Sequence, residues 1–214
     1  MRDLIIVAAS GLARELIMVL RSCGRLHPRG ILDDDPALTG KVIHGVPVLG
    51  RPAVIRDHPD TAVIIAAGRG RDRRTLAGRL HAAGVADDRY VSVIDCTVGV
   101  PESCEIGVGS IVLAGTVLTA DVQVGRHVVI MPRVTLTHDV VVDDFATLCA
   151  GVSLGGQVRI GPAAYVGMNA GVREGRTVGA NAVLGMGAAA IRDIPAGEVW
   201  AGVPARPLSD RTRP

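Results

Sequence analysis

IGVGSIVLAGTVLTADVQVGRHVVIMPRVTLTHDVVVDDFATLCAGVSLGGQVRIGPAAYVGMNAGVREGRTVGANAVLGMGAAA, residues 106–190, is the stretch that decides the fold. Every sixth residue from Ile106 through Leu184 is Ile, Leu or Val, and the series closes on Ala190. A second row, two positions earlier, runs from Cys104 to Ala188 and is small or β-branched with the single exception of Arg176. A helix repeats every 3.6 residues and a plain strand every 2, and neither produces this register. A coil of three flat faces does, with about six residues to a face and eighteen to a turn, and with both rows pointing inward. The stretch from Ile106 to Ala190 is long enough for almost five such coils. Glycines behind the inward residues, as in Ile160-Gly161, Val166-Gly167 and Val178-Gly179, are expected to permit the tight corner bends.

Upstream the pattern is different. Leu4 to Ala9 is an uninterrupted apolar run, Ser10-Gly11 interrupts it, and Leu12, Leu16, Val19 and Leu20 then follow helical spacing. Strand-like runs return at 30–32, 42–49, 62–67 and 90–94, with helical candidates at 52–57 and 73–83. Alternation of this kind predicts a small, Rossmann-like parallel α/β sheet over residues 1–95, followed by the β-helix domain and a C-terminal tail over 96–214. In such sheets a glycine turn at a helix N-terminus meets phosphate beyond the carboxyl ends of the strands. AASGLARE is placed for that, although Ala8 and Ala13 stand where G-x-G-x-x-G has its outer glycines. Asp33, Asp34 and Asp35 close the second strand. A carboxylate there takes a ribose hydroxyl, or the run is a solvated turn ahead of Pro36.

Bulk properties exclude several classes. The 23 basic and 21 acidic residues leave a formal charge of +2, which calls for neither nucleic acid nor a membrane surface. RGRDRR at 69–74 reads as a solvated helix start. The four cysteines, Cys23, Cys96, Cys104 and Cys149, contain no CxxC pair, so no zinc knuckle or disulfide framework is expected and a reducing cytoplasm fits. The apolar opening is too short for a membrane span or signal peptide and reads as a first strand.

Hexapeptide series of this sort resemble the left-handed β-helix acyltransferases. That resemblance implies a left-handed coil, a homotrimer of prisms and acyl-CoA in the groove between neighbours, with no metal. Acyl transfer needs a base for the nucleophile's proton and donors for the developing oxyanion. Only His127 and His138 lie in the repeat. His138 stands two residues after the inward Leu136 and directly before Asp139, so an outward imidazole beside a carboxylate is expected. A hydrogen bond from Nδ1–H to the carboxylate fixes the tautomer that leaves Nε2 free as base.

THDVVVDDFATLCAGVSLGGQVRIG (137–161) closely resembles the sialic acid O-acetyltransferase and bacillosamine N-acetyltransferase family. ILDDDPALTGKVIHGVPVLG (31–50), AGRGRDRR and AGVPARPL (201–208) extend the likeness over nearly the whole chain. The resemblance implies that His138 is the general base and Asp139 its orienting partner. It also implies that Ser10, Gly11, Asp33 and Asp34 hold the nucleotide of a nucleotide-linked amino sugar, with Arg73 nearby. Gly156, Met168, Gly185 and Gly187 fall where the family lines its CoA groove. The sequence departs from the family pattern at four places. Ala8 replaces a glycine, Leu12 replaces polar residues, Met131 stands where an asparagine is common among enzymes acting on amino sugars, and Thr147 replaces a second histidine near the acetyl group.

N-acetylation of a nucleotide-linked amino sugar with acetyl-CoA is the leading expectation. The alternatives are O-acetylation of sialic acid or another small hydroxyl or amine acceptor, an acyl donor longer than acetyl, and a non-catalytic trimeric scaffold, since a fold does not prescribe an activity. A zinc carbonic anhydrase on this prism would need three histidine ligands, one more than the repeat contains.

Overall fold

Leu4, Ile5, Ile6 and Val7 are fully buried and form most of strand β1 (Arg2–Val7) in the computed structural model, which describes residues 2–208. The last residues of the expected tail, 209–214, lie outside the described residues. Helix α1 (Gly11–Cys23) begins where the Ser10 hydroxyl accepts the Ala13 amide at 3.2 Å and ends at Gly24, whose φ of 64° closes the last turn. Its Leu12, Leu16, Ile17 and Leu20 face the sheet. Strands β2 (Leu26–Leu32), β3 (Val42–Ile43), β4 (Val46–Gly50) and β5 (Ala62–Ile65) complete a sheet of order β3-β4-β2-β1-β5. Helix α2 (Gly70–Ala82) follows β5.

Two local expectations change. The run 42–49 is not one strand but an antiparallel hairpin, because His44 and Gly45 both take positive φ (44° and 75°), the requirement of a tight primed turn. That makes the sheet mixed rather than purely parallel. The segment Pro52–Asp57 is a 3-10 helix.

Beyond residue 93 the chain is a left-handed parallel β-helix of two-residue strands in three sheets. It starts with β6 (Val93–Ile94), which pairs with Ile111–Val112. Partners across each face are eighteen residues apart: Val124 opposite Val142, Ile130 opposite Leu148, Leu136 opposite Leu154. Both rows read from the sequence point inward. Ile106 and Arg176 are half-buried and the other members of the two rows are buried. Each fully buried Val, Leu or Ile contributes roughly 1.5–3 kcal/mol. The register breaks after Ala190, where Val183 pairs with Val199, and an antiparallel strand at Arg206–Pro207 closes the prism.

The corner glycines serve a different purpose from the one expected. The left-handed backbone falls three residues after each inward residue, on Ala163, Asn169 and Asn181 as well as on Asp139 and His127. Gly161, Gly167 and Gly179 are instead sites of close approach, where an added Cβ would stand 2.5–2.7 Å from the backbone nitrogen of the next coil.

The α/β unit packs on the face that carries Ile111, Leu113 and Val129. Arg73 fastens it there and is fully buried. Its Nε donates to the His127 carbonyl (2.8 Å), Nη1 to those of Ala67 (2.8 Å) and Gly68 (2.9 Å), and Nη2 to those of Phe145 and Ala146 (2.8 Å each) and to Thr147 Oγ1 (3.0 Å). Burial lowers its pKa to about 9, against the opposing charge of Asp72. Arg73 has no donor left for a ligand, so the expectation that it stands beside a bound nucleotide gives way to a structural role. Gly70 permits the contact, since a Cβ there would lie 1.9 Å from the Phe145 carbonyl oxygen.

Close by, His127 is 2% exposed, stacked on Phe145 (5.0 Å, 10°) and edge-on to Tyr90, with no partner for Nδ1. Burial lowers its pKa to about 4. Arg126 and Arg73 act in the same direction, and Asp144 and Asp87 oppose them.

Two predictions follow from this junction. Arg73→Met should cost about 3–5 kcal/mol by stranding several carbonyls, lowering Tm by roughly 10 °C. Arg73→Lys should fail to restore it, because an ammonium has too few donors in the wrong geometry. A melt within about 2 °C of wild type would refute the role. For His127 the unfolded chain binds the extra proton between pH about 6.5 and about 4. The neutral ring's stabilisation is therefore complete above the upper value and lost as pH falls through the lower one. About 3 kcal/mol is at stake. Tm measured from pH 8 to 4 should fall less steeply in His127→Asn, whose side chain tolerates the left-handed backbone.

Candidate active site

The corner at 137–139 presents a histidine and a carboxylate to solvent. Leu136 turns inward and is buried, while Thr137 Oγ1 donates to the Leu154 carbonyl at 2.9 Å and holds the corner to the next coil. Asp139 takes φ 60°, a conformation that aspartate tolerates better than most side chains. The His138 carbonyl accepts from Gln157 N at 2.9 Å. His138 Nδ1 lies 2.8 Å from Asp139 Oδ2, with the side chains 63% and 51% exposed. A proton on Nδ1 directed at the carboxylate leaves the Nε2 lone pair facing solvent, the state a general base needs.

Below the ring lies Gly156. A Cβ there would stand 2.4 Å from both Cε1 and Nε2 of His138. Gly156 is not among the left-handed residues, so its lack of a side chain serves the imidazole rather than a bend.

The remaining CoA-groove candidates divide. Met168, half exposed, with Gly185 and Gly187, forms the corner one face away from His138, where Gly187 N donates to the Met168 carbonyl at 2.7 Å. Between the two corners runs a face whose outward residues, in register, are Thr135, Ser153, Gly171 and Ala189. Small side chains leave this face shallow. Thr147 is not part of it. It is 3% exposed and faces the other way, its Oγ1 donating to the Gly68 carbonyl and accepting from Arg73. A further chain docking on the prism buries such a residue more, so Thr147 stands outside any groove on that face.

At the carboxyl edge of β1 and β2 the structure brings Ser10, Gly11 and Asp33 together. Asp33 Oδ2 accepts from Ala9 N (2.7 Å) and Oδ1 from Asp35 N (2.9 Å), tying the first turn to the second strand. Ser10 donates to the Ala66 carbonyl while capping α1. Asp34 points to α2 instead, forked to Arg79 with both contacts at 2.7 Å. The pair lowers the Asp34 pKa, chiefly through the hydrogen bonds. No local pattern signals this fork, because it joins residues 45 apart. Ala8 sits at φ 81°, the left-handed region that explains the glycine its family pattern carries there. Met131 is half-buried against the cluster containing Leu12, Ala66 and Leu113.

Within one chain His138 and the turn of Ser10, Gly11 and Asp33 lie apart. The α/β unit covers the face of Ile111 and Val129, whereas His138 lies on the corner where the other two faces meet. A cavity of about 240 Å³ between α2 and the coils at Arg126–His127 and Asp144–Phe145 sits on yet another corner and does not include His138. No helix among the described residues is long and apolar enough to cross a membrane.

Comparison with known proteins places this geometry among relatives. The family described as the PglD N-terminal domain matches residues 3–80. Perosamine N-acetyltransferase from Caulobacter crescentus, solved as a variant with CoA and GDP-perosamine, is 29% identical with a TM-score of 0.89, and 97% of each chain is covered. The acetyltransferase domain of PglB from Neisseria gonorrhoeae, solved with acetyl coenzyme A, is 30% identical with a TM-score of 0.86 over 97% of this chain and 99% of that one. A UDP-3-O-acylglucosamine N-acyltransferase from Caulobacter sp. is 34% identical over 88 residues. The chain spans 26–43% of the length of the curated relatives it matches.

Gly156→Ala tests the seat of the imidazole. Its backbone conformation suits alanine, so the fold and Tm should hold within roughly 1 kcal/mol of wild type. The displaced ring should lower kcat by about 10–100-fold, since misplacement of about 1 Å costs up to that much. An unaltered kcat would show that the ring does not need this position.

Proposed function

Because this chain belongs to the hexapeptide-repeat, CoA-dependent N-acetyltransferases of the perosamine and bacillosamine type, we propose that it transfers acetyl from acetyl-CoA to the amine of a nucleotide-linked amino sugar. One observation carries the reading: the His138–Asp139 pair at 2.8 Å, on a solvent-facing corner with its ring over Gly156. The neutral amine attacks the thioester carbonyl, and His138 Nε2 takes the proton that the nitrogen must lose. Asp139 holds Nδ1 and stabilises the imidazolium. The tetrahedral oxyanion is met by the backbone amide of Gly156, whose neighbours Gly155 N and Gln157 N are engaged with Val172 O and His138 O. Its collapse breaks the C–S bond, and the CoA thiolate leaves with the proton returned from His138. No acyl-enzyme forms.

We place CoA along the shallow face between the His138 corner and the Met168–Gly187 corner, and the nucleotide at the turn of Ser10, Gly11 and Asp33. Because the His138 corner lies opposite the face that the α/β unit covers, each site in this reading takes its base from one protomer and its acceptor turn from another, in a homotrimer. Val117 (50% exposed), Met168 (47%) and Met186 (69%) supply apolar surface for that contact. The cytoplasm, where both co-substrates are made, is the compartment we assign.

His138→Ala should reduce thiol release from acetyl-CoA by roughly 100-fold to 10,000-fold in the presence of a nucleotide-linked 4-amino sugar, with KM for acetyl-CoA little changed. An unchanged rate would sink the base assignment. Turnover of simple amines or of sialic acid, with none of the nucleotide-linked panel, would refute the acceptor class. A trimer by light scattering is expected, and a monomer that retains full activity would rule out the shared site.

A further inference from the structure

Where α1 ends and the chain enters the prism, three residues far apart in sequence converge. Cys23 is the last residue of α1, and Asp95 and Cys96 directly follow β6. One ligand atom from each, Cys23 Sγ, Cys96 Sγ and a carboxylate oxygen of Asp95, lies within 4.8 Å of the other two. We propose that this junction binds one thiophilic divalent cation, of which zinc is the type. Two thiolates and a carboxylate would hold it, with water in the fourth position.

Four features support the assignment. Ligand atoms around tetrahedral zinc stand roughly 3.3–3.8 Å apart, given Zn–S near 2.3 Å and Zn–O near 2.1 Å. The cluster therefore needs to contract by about 1 Å, which the exposed Cys96 side chain can supply by rotation. Asp95 is 7% exposed and makes no ion pair among the described residues, so no cation of the chain competes for its carboxylate. Its Oδ1 is fixed by Thr97 N (2.9 Å) and Thr97 Oγ1 (2.6 Å), a supporting shell that orients the group and leaves Oδ2 unpartnered. Finally, Cys96 N donates to Cys23 Sγ at 3.0 Å, the kind of amide contact that stabilises a metal-bound thiolate.

Binding displaces the two thiol protons and changes no oxidation state. The bound ion would join the end of α1 to the first strand of the prism, a second tie in addition to the contacts made by Arg73. This role does not depend on the acyl-transfer reading.

The test uses the full chain with reduced thiols under anaerobic conditions. Titration with cobalt(II) should saturate at one equivalent, with thiolate-to-cobalt absorption in the near ultraviolet and visible d–d bands that zinc abolishes. Zinc at about 100 times Kd should raise Tm by roughly 5–10 °C. Cys23→Ser and Cys96→Ser should each weaken binding at least about 100-fold, and Asp95→Asn about 10–100-fold, the losses typical of a removed ligand or oriented partner. Cys149→Ala, in the prism core, should bind as wild type does. The absence of both the cobalt spectrum and the Tm shift would overturn the proposal, as would binding that survives Cys23→Ser. Recovery of a Cys23–Cys96 disulfide that, once reduced, still takes up no metal would overturn it in favour of a redox pair.

Discussion

The prism rests on one constraint, that each strand amide meets a carbonyl of the next coil. Gln123 N reaches Val140 O at 2.9 Å, Thr135 N reaches Val152 O at 2.9 Å, and Thr147 N reaches Ala164 O at 2.9 Å, in each case seventeen residues along. The eighteen-residue spacing is unbroken from Glu105 to Ala190. It sets aliphatic side chains inside at every sixth position, left-handed backbone three residues later, and close approach between coils at Gly161, Gly167 and Gly179. His138 and Asp139 are thus products of the lattice before they are chemistry. A corner residue of the β-helix must point outward, and the residue after it must accept a positive φ. An Asp there meets the backbone demand and also reaches the imidazole.

The same lattice explains why a separate α/β unit can be held so firmly. A prism face offers rows of apolar side chains but few charged ones. Attachment therefore combines the apolar contact of Leu113 and Val129 with a cation aimed at corner carbonyls. Arg73 meets carbonyl groups from both units and no carboxylate, which suits a planar group with five donors. Attachment to this face leaves the His138 corner uncovered within the protomer, so the arrangement that buries Arg73 also separates His138 from the turn of Ser10 and Asp33.

What the sequence made legible follows from the range of each interaction. The two inward rows, the Ser10 cap and the strand-turn-helix start are local or periodic, and they could be read directly. The adjacency of His138 and Asp139 was also visible, since neighbouring residues at a corner face the same way. The function of Gly156 beneath the ring was not, because it depends on a contact eighteen residues away. Arg73, set near a bound nucleotide by the family resemblance, differs from Arg71 and Arg74 in which side of α2 it occupies, and that side is set by tertiary packing. Thr147 was misread for a similar reason: it lies on the face covered by the α/β unit. The corner glycines were assigned conformational freedom where close approach was the actual demand.

The departures from the family pattern now have unequal physical weight. Ala8 keeps the left-handed turn that glycine would adopt freely, at a cost of roughly 1–2 kcal/mol, which shows how strongly the neighbouring contacts hold that turn. The Asp33 carboxylate on Ala9 N is one of those contacts, so this acid is partly engaged before any ligand arrives. Met131 packs against the same apolar cluster as Leu12. Replacing an amide by a thioether there removes hydrogen-bonding groups and adds apolar surface at the junction.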